Sequence, residues 1–323
     1  MKHATTGGTG DLSAPILTRM DAFKERFADA VNGQVSDVHQ ARVASRRLRE
    51  ALRVASVVAP RHSRGVRRDM RRVTRALGQV REMHVTLALL AEEASRHRWP
   101  PVAVADVRRR LDLECSRRLR RMKTKLHRLN VDQLGKRVRT IAEAAGGVPR
   151  LVWTRALVAR LRARGADLTT ALKNVGGVYV AGQLHGARLA AKKLRYTFEL
   201  AGEAASVDTR AIVGEMKAAQ EALGRLQDLH VLQDHLRSVM ARGPAGRVIH
   251  AAPISAMLEA CDTECRALHA AFLTWSTQLS VDAARATREV AVAIGAGRRM
   301  ARGRMPAPAK AKNGRDLRAR AIA

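Results

Sequence analysis

Residues 38–55 read VHQARVASRRLREALRVA, and residues 184–201 read LHGARLAAKKLRYTFELA. The two align without a gap at a shift of 146 residues (184 minus 38). His39 falls on His185, Arg42 on Arg188, Arg46 and Arg47 on Lys192 and Lys193, and Arg49 on Arg195. The same shift lays MRRVTRALGQVREMHV at 70–85 over MKAAQEALGRLQDLHV at 216–231, so that His84 falls on His230. Two separated stretches in one register point to an internal duplication and not to one chance match.

On a helix of about 3.6 residues per turn, Val38, Ala41, Ser45, Leu48, Leu52 and Ala55 form one packing stripe. His39, Arg42, Arg46, Arg49 and Arg53 follow the same steps one residue later, as a basic stripe at the edge of that contact. Cations at these spacings repel one another slightly, so the arrangement makes sense if an anion runs along it. In the second copy His185, Arg188, Lys192 and Arg195 hold the same places, while Glu199 replaces Arg53 and weakens that end. Val66, Met70, Val73 and Leu77 form the next packing stripe, with Arg71 beside it and Lys217 as its counterpart.

Arginine suits phosphate because its planar fork can bind one phosphoryl group twice, whereas lysine supplies a point charge. Histidine adds a donor whose protonation is favoured by a nearby anion. A basic run on a helix is more often a solvated face, and that is the expectation for 108–110 and 117–121. His84 and His230 close an LG-x-x-x-acid-x-His run and can hold local structure, with Glu82 and Asp228 orienting nearby arginines.

The bulk properties agree with a polyanion partner. The 323 residues carry a formal net charge of +31, and DNA, RNA, anionic membrane and inorganic polyphosphate are all candidates on charge alone. Hydrophobic residues make up 46%, enough for a core, and aromatics only 3%, which argues against a stacking platform for single-stranded nucleic acid. Cys115, Cys261 and Cys265 form no disulfide framework and read as small packed thiols. Neither a metal nor a cofactor is expected. No apolar run approaches a membrane span and no secretory leader is evident, so the expected setting is cytoplasmic.

The expected fold is all-α. Helices are predicted at about 14–31, 35–58, 62–76, 80–97, 102–129 and 131–145. A Gly/Pro boundary at 145–149 precedes further helices at 151–172, 180–204, 208–240, 255–279 and 282–294. The Leu77-Gly78 step is read as a bend between two helices, and 243–246 as a loop. Residues 1–10 and the basic tail 297–323 are expected to be disordered. The body, 11–296, divides into bundles at 11–146 and 147–296, related by a pseudo-two-fold axis.

The four quoted blocks, in this order, resemble the CHAD domain, the conserved histidine α-helical domain. The resemblance covers about residues 11–296 and implies two four-helix bundles that bind inorganic polyphosphate in a basic pocket between them. Carried over by position, it implies His39, Arg42, Arg46, Arg49, His185, Arg188, Lys192 and Arg195 as binding residues. The helical reading adds Arg53, Arg71 and Lys217. Glu82 stands where the family commonly has Asp. No acidic ExExK strand of an attached triphosphate-processing domain is present, so the resemblance implies a binding module and not an enzyme. Polyphosphate granules are a candidate destination. Non-specific RNA or DNA binding is the alternative. A phosphoanhydride-processing enzyme, with His39 or His185 as nucleophile, is the third reading.

Overall fold

A computed structural model describes residues 10–241 and 251–303, with side chains described as far as 296. All nine elements among the described residues are α-helices. They are α1 (Ser13–Asn32), α2 (Val35–Ala55), α3 (Pro60–His97), α4 (Pro101–Leu126), α5 (Val131–Gly146), α6 (Arg150–Lys173), α7 (Ala181–Ala205), α8 (Arg210–Ala241) and α9 (Ala251–Gly303). The expectations for residues 1–9, the 243–246 loop and 304–323 lie outside the described residues.

Local chemistry sets the helix ends. Gly33 ends α1 in the left-handed region at φ 98°, donating back to Asp29 and Ala30. Pro60 and Pro101 open α3 and α4, where a missing N–H costs nothing. Asn130 caps α5, its Oδ1 accepting from the Gln133 N–H at 2.8 Å.

In the second half, α6, α7, α8 and α9 close a four-helix ring, α9 packing on both α8 and α6. In the first half, α1, α2 and α3 are followed by two shorter helices that share the fourth side. Here α4 packs on α3, and α5 packs on α1. The halves meet with α2 against α7 and α3 against α8. The 146-residue shift carries Val35, the first residue of α2, onto Ala181, the first of α7. The predicted packing stripes are buried: Val38, Ala41, Leu48, Leu52 and Ala55 on α2, and Val66, Met70, Val73 and Leu77 on α3. Ser45 joins them, with the Thr74 hydroxyl donating to its Oγ at 3.0 Å.

Three expectations are corrected. The helices predicted at 62–76 and 80–97 are one helix, α3, which runs unbroken through Leu77-Gly78. Leu77 and Val80 are both buried on its core side, and Gly78 lies elsewhere on the helix, against Arg42. The helices predicted at 255–279 and 282–294 are likewise one. Leu279 and Ala283 continue one buried face, and Asp282 is bonded within the helix to Gln278 and Arg285. Finally, the tail expected to be disordered from 297 is helical as far as Gly303.

Candidate functional site

The seam where α2 faces α7 and α3 faces α8 gathers the basic residues. Arg42 and Arg46 come from α2, Arg188 and Lys192 from α7, and Arg81 from α3. Arg46, Arg42 and Arg188 all lie close enough to disfavour a proton on Lys192, as Arg46 and Arg188 do for Arg42. Burial is the larger cause in both, and together these effects push Lys192 down to about 6. His39 is pushed down too, first by burial and then by Arg81, Arg42 and Lys192. The two stripes therefore meet in one cluster.

Glycine makes part of this possible. A Cβ on Gly78 would lie 3.3 Å from the Arg42 Nε, and one on Gly224 would lie 3.9 Å from the Arg188 Nε. The glycine of each LG pair thus borders the arginine of the stripe packed on its helix. A mid-helix glycine costs roughly 1 kcal/mol against alanine, a cost incurred here where the guanidinium of Arg42 comes close. The Nε atoms of Arg42, Arg188 and Arg195 are buried and without a hydrogen-bond partner. Buried cations with open donors on two facing helices suit an anion with several oxygens.

Asp228 is the acidic member. It lies 3.9 Å from Arg188, with Lys192 and Arg81 nearby. Burial wins over those cations and raises its carboxyl above the ordinary range. Glu82, its sequence counterpart, does something else. It is exposed and accepts from Arg118 on α4 at 2.6 Å, so it holds a nearby arginine, as expected, but one outside the cluster.

The other predicted residues separate by place. Arg49 adjoins Arg46, Arg53 and Arg71, which extend the basic surface along α2 and α3. Arg53 also lies 3.3 Å from the buried Glu50. Arg195 sits 5.0 Å over the Tyr196 ring and 3.6 Å from Glu199, so it is partly neutralised. His185 meets the Gln227 Oε1 through Nδ1, and His230 lies 3.7 Å from Asp234. His84 stands beside Arg81, with a buried, unpartnered Nδ1. Lys217 is exposed on α8, and no contact among the described residues ties it to the cluster.

Glu199, read as a weakening of the second stripe, has a positive task. Arg47 donates to it through Nε at 2.8 Å and Nη2 at 3.2 Å, linking α2 to α7. Glu50 makes the reciprocal link, accepting from Arg160 of α6 at 2.6 Å and from the Thr197 hydroxyl of α7 at 3.4 Å. Arg81 and Tyr196 were missed by sequence reasoning. Arg81 aligns with Gln227, so recurrence could not mark it; its position one turn beyond Gly78 was the available signal.

At the far end of the α3–α8 contact, Glu93, His97 and Glu264 bring ligand atoms within 4.8 Å of one another. Those carboxylates already hold arginines: Glu264 accepts from Arg225 at 2.8 Å and Arg96 at 2.6 Å, and Glu93 accepts from Arg225. The trio reads as an ion-pair network joining α3, α8 and α9. No described helix is long and apolar enough to cross a membrane.

No curated protein matches this chain. Among solved structures, the CHAD domain from the plant Ricinus communis superposes with a TM-score of 0.59 at 19% identity, covering 89% of this chain and 92% of that one. PptA from Streptomyces chartreusis superposes with a TM-score of 0.61 at 18% identity, covering 83% of this chain and 98% of that one. At such identities the likeness concerns the fold. A family model described as CHAD domain matches residues 16–237, from α1 to the last turns of α8 and more than half of the chain, and the chain belongs to that family.

Proposed function

We propose that this protein binds inorganic polyphosphate without turning it over, through the cluster of Arg42, Arg46, Arg188 and Lys192, with His39 and Arg81 at its edge. The observation that carries this reading is the mutual approach of α2 and α7 cations: Arg188, Arg46 and Arg42 lie close enough to Lys192 to add to the burial that pushes it down to about 6. Like charges so placed raise the energy of the anion-free protein, and a chain of phosphates relieves it. Ordered cations on packed helices also reduce what binding must immobilise. Among the groups that act most on Lys192, three are arginines and Asp228 is the carboxylate, a donor set suited to holding phosphate more than to carrying a catalytic metal. Polyphosphate granules are the destination that fits such a module.

The test is titration of labelled polyphosphate into the wild-type protein and into a variant with Arg42→Glu, Arg46→Glu, Arg188→Glu and Lys192→Glu, with helicity checked by circular dichroism. Loss of binding in a folded variant is expected, and unchanged affinity would sink the proposal. DNA and RNA at equal phosphate concentration serve as competitors, since equal displacement by either would favour the nucleic-acid reading. Incubation with polyphosphate and Mg²⁺, followed by chain-length analysis, should show no shortening.

A further inference from the structure

The amino-terminal part of α3 carries Arg64, Arg67, Arg71 and Arg75, and none has an ion-pair partner among the described residues. Arg121, Arg155 and Arg162 likewise have none among the described residues, so what marks the four is the row they form. On α4, Arg109 pairs with Asp106 and Arg118 with Glu114; on α9, Arg266 pairs with Asp262 and Arg285 with Asp282. The α3 residues follow steps of three and four, and the next two steps reach Gly78, where Arg42 lies, and then Arg81. The row thus runs into the central cluster, over roughly 25 Å from Arg64 to Arg81 at about 1.5 Å per residue.

The row also joins α2 sideways. Arg71 lies near enough to Arg49, and Arg67 to Arg53, to lower the neighbour's proton affinity. Together with Arg42 beside Gly78, these contacts follow one antiparallel register along the α2–α3 seam. The equivalent places on α8 are Arg210, Val213, Lys217 and Glu221, and Glu199 stands at the place of Arg53. Arg210 is moreover held by Asp208 at 2.7 Å. The second half therefore breaks the row with an apolar side chain and an acid where the first half continues it.

We propose that polyphosphate leaves the central cluster in one direction only, along the α2–α3 seam, and that this seam is a subsite engaged by long chains but not by short ones. The inference rests on the polyphosphate reading of the cluster. It is tested by measuring binding of tripolyphosphate and of long-chain polyphosphate to the full chain and to an Arg64→Gln, Arg67→Gln variant. The expected result is a loss on the order of tenfold for the long chain and no change for tripolyphosphate. Equal losses for both anions, or no loss for the long chain, overturns the one-directional exit while leaving the central site standing. Failure of both anions to bind the unsubstituted protein brings down the polyphosphate reading and the exit with it.

Discussion

The Nε of Arg42 lies 3.3 Å from where a side chain on Gly78 would begin. This contact separates stability from binding. Gly78→Ala adds helix propensity, worth roughly 1 kcal/mol in the middle of a helix, and pushes the guanidinium outward by a few tenths of an ångström. The expected outcome is an unchanged or raised melting temperature with polyphosphate affinity lowered about threefold to tenfold. At Gly224 the corresponding distance to Arg188 is 3.9 Å, an ordinary contact, so Gly224→Ala should leave affinity intact. Parallel titrations and thermal melts of the two variants check both halves of this prediction.

Lys192 gives a pH dependence with a definite sign. Its folded value, pushed down to about 6, lies below the ordinary lysine value of 10.5. Between those values the unfolded chain binds more protons, so this residue makes the anion-free protein more stable as pH rises from about 6 towards 10.5. Bound phosphate reverses the preference and raises the folded value. Binding should therefore take up a proton near neutral pH, and affinity should strengthen as pH falls towards 6. Lys192→Met should stabilise the anion-free protein by roughly 1 kcal/mol, flatten its pH–stability slope and weaken binding. Calorimetric titration in buffers of different ionisation enthalpy counts the protons directly.

His39 works in the same direction at lower pH, since burial and the Arg81, Arg42 and Lys192 charges hold it below the usual histidine value. In the free protein its ring is expected to be neutral at pH 7, and protonated once polyphosphate is bound. Proton NMR of the His39 ring, assigned by comparison with His39→Gln, should show its titration moving to higher pH on saturation. A midpoint unmoved by the anion would place His39 outside the binding surface.

The stripes were legible because helical periodicity is local. Val38, Ala41, Leu48 and Leu52 are buried as their spacing requires, and the basic residues one position later lie at the edge of that contact. What could not be read is what a residue meets across the seam. Glu82 and Asp228 align, yet one holds Arg118 and the other faces Arg188, because α4 supplies an arginine to only the first. Gly78 looked like a break between helices because glycine favours one, and only the neighbouring Arg42 shows why it sits inside a continuous helix. Arg195 and Lys217 were placed by alignment with the first half, but Glu199 partly neutralises the first, and the second lies exposed, with no ion-pair partner among the described residues.

Glu50 ties the first half to the second, and its loss should be felt in folding more than in binding. The carboxylate is buried, accepts from Arg160 at 2.6 Å and lies 3.6 Å from Arg164, both on α6. Burial alone would raise its pKa, but the Arg160 hydrogen bond and the Arg160, Arg164 and Arg53 charges hold it below the usual 4.5. A depressed carboxyl contributes stability that is present above the unfolded value and lost as pH falls through the folded one. Glu50→Gln keeps the shape but leaves those guanidiniums without their anion, a change that costs about 3 kcal/mol in buried pairs. Denaturant unfolding at pH 7 should show that loss, while the stability difference between wild type and variant should narrow below about pH 4. Because the leading partners of Glu50, Arg160 and Arg164, lie on α6 and outside the basic cluster, polyphosphate affinity of the folded variant should stay within about twofold of wild type. A large loss of affinity with stability unchanged would mean that Glu50 acts on the basic cluster and not on the joint between the halves.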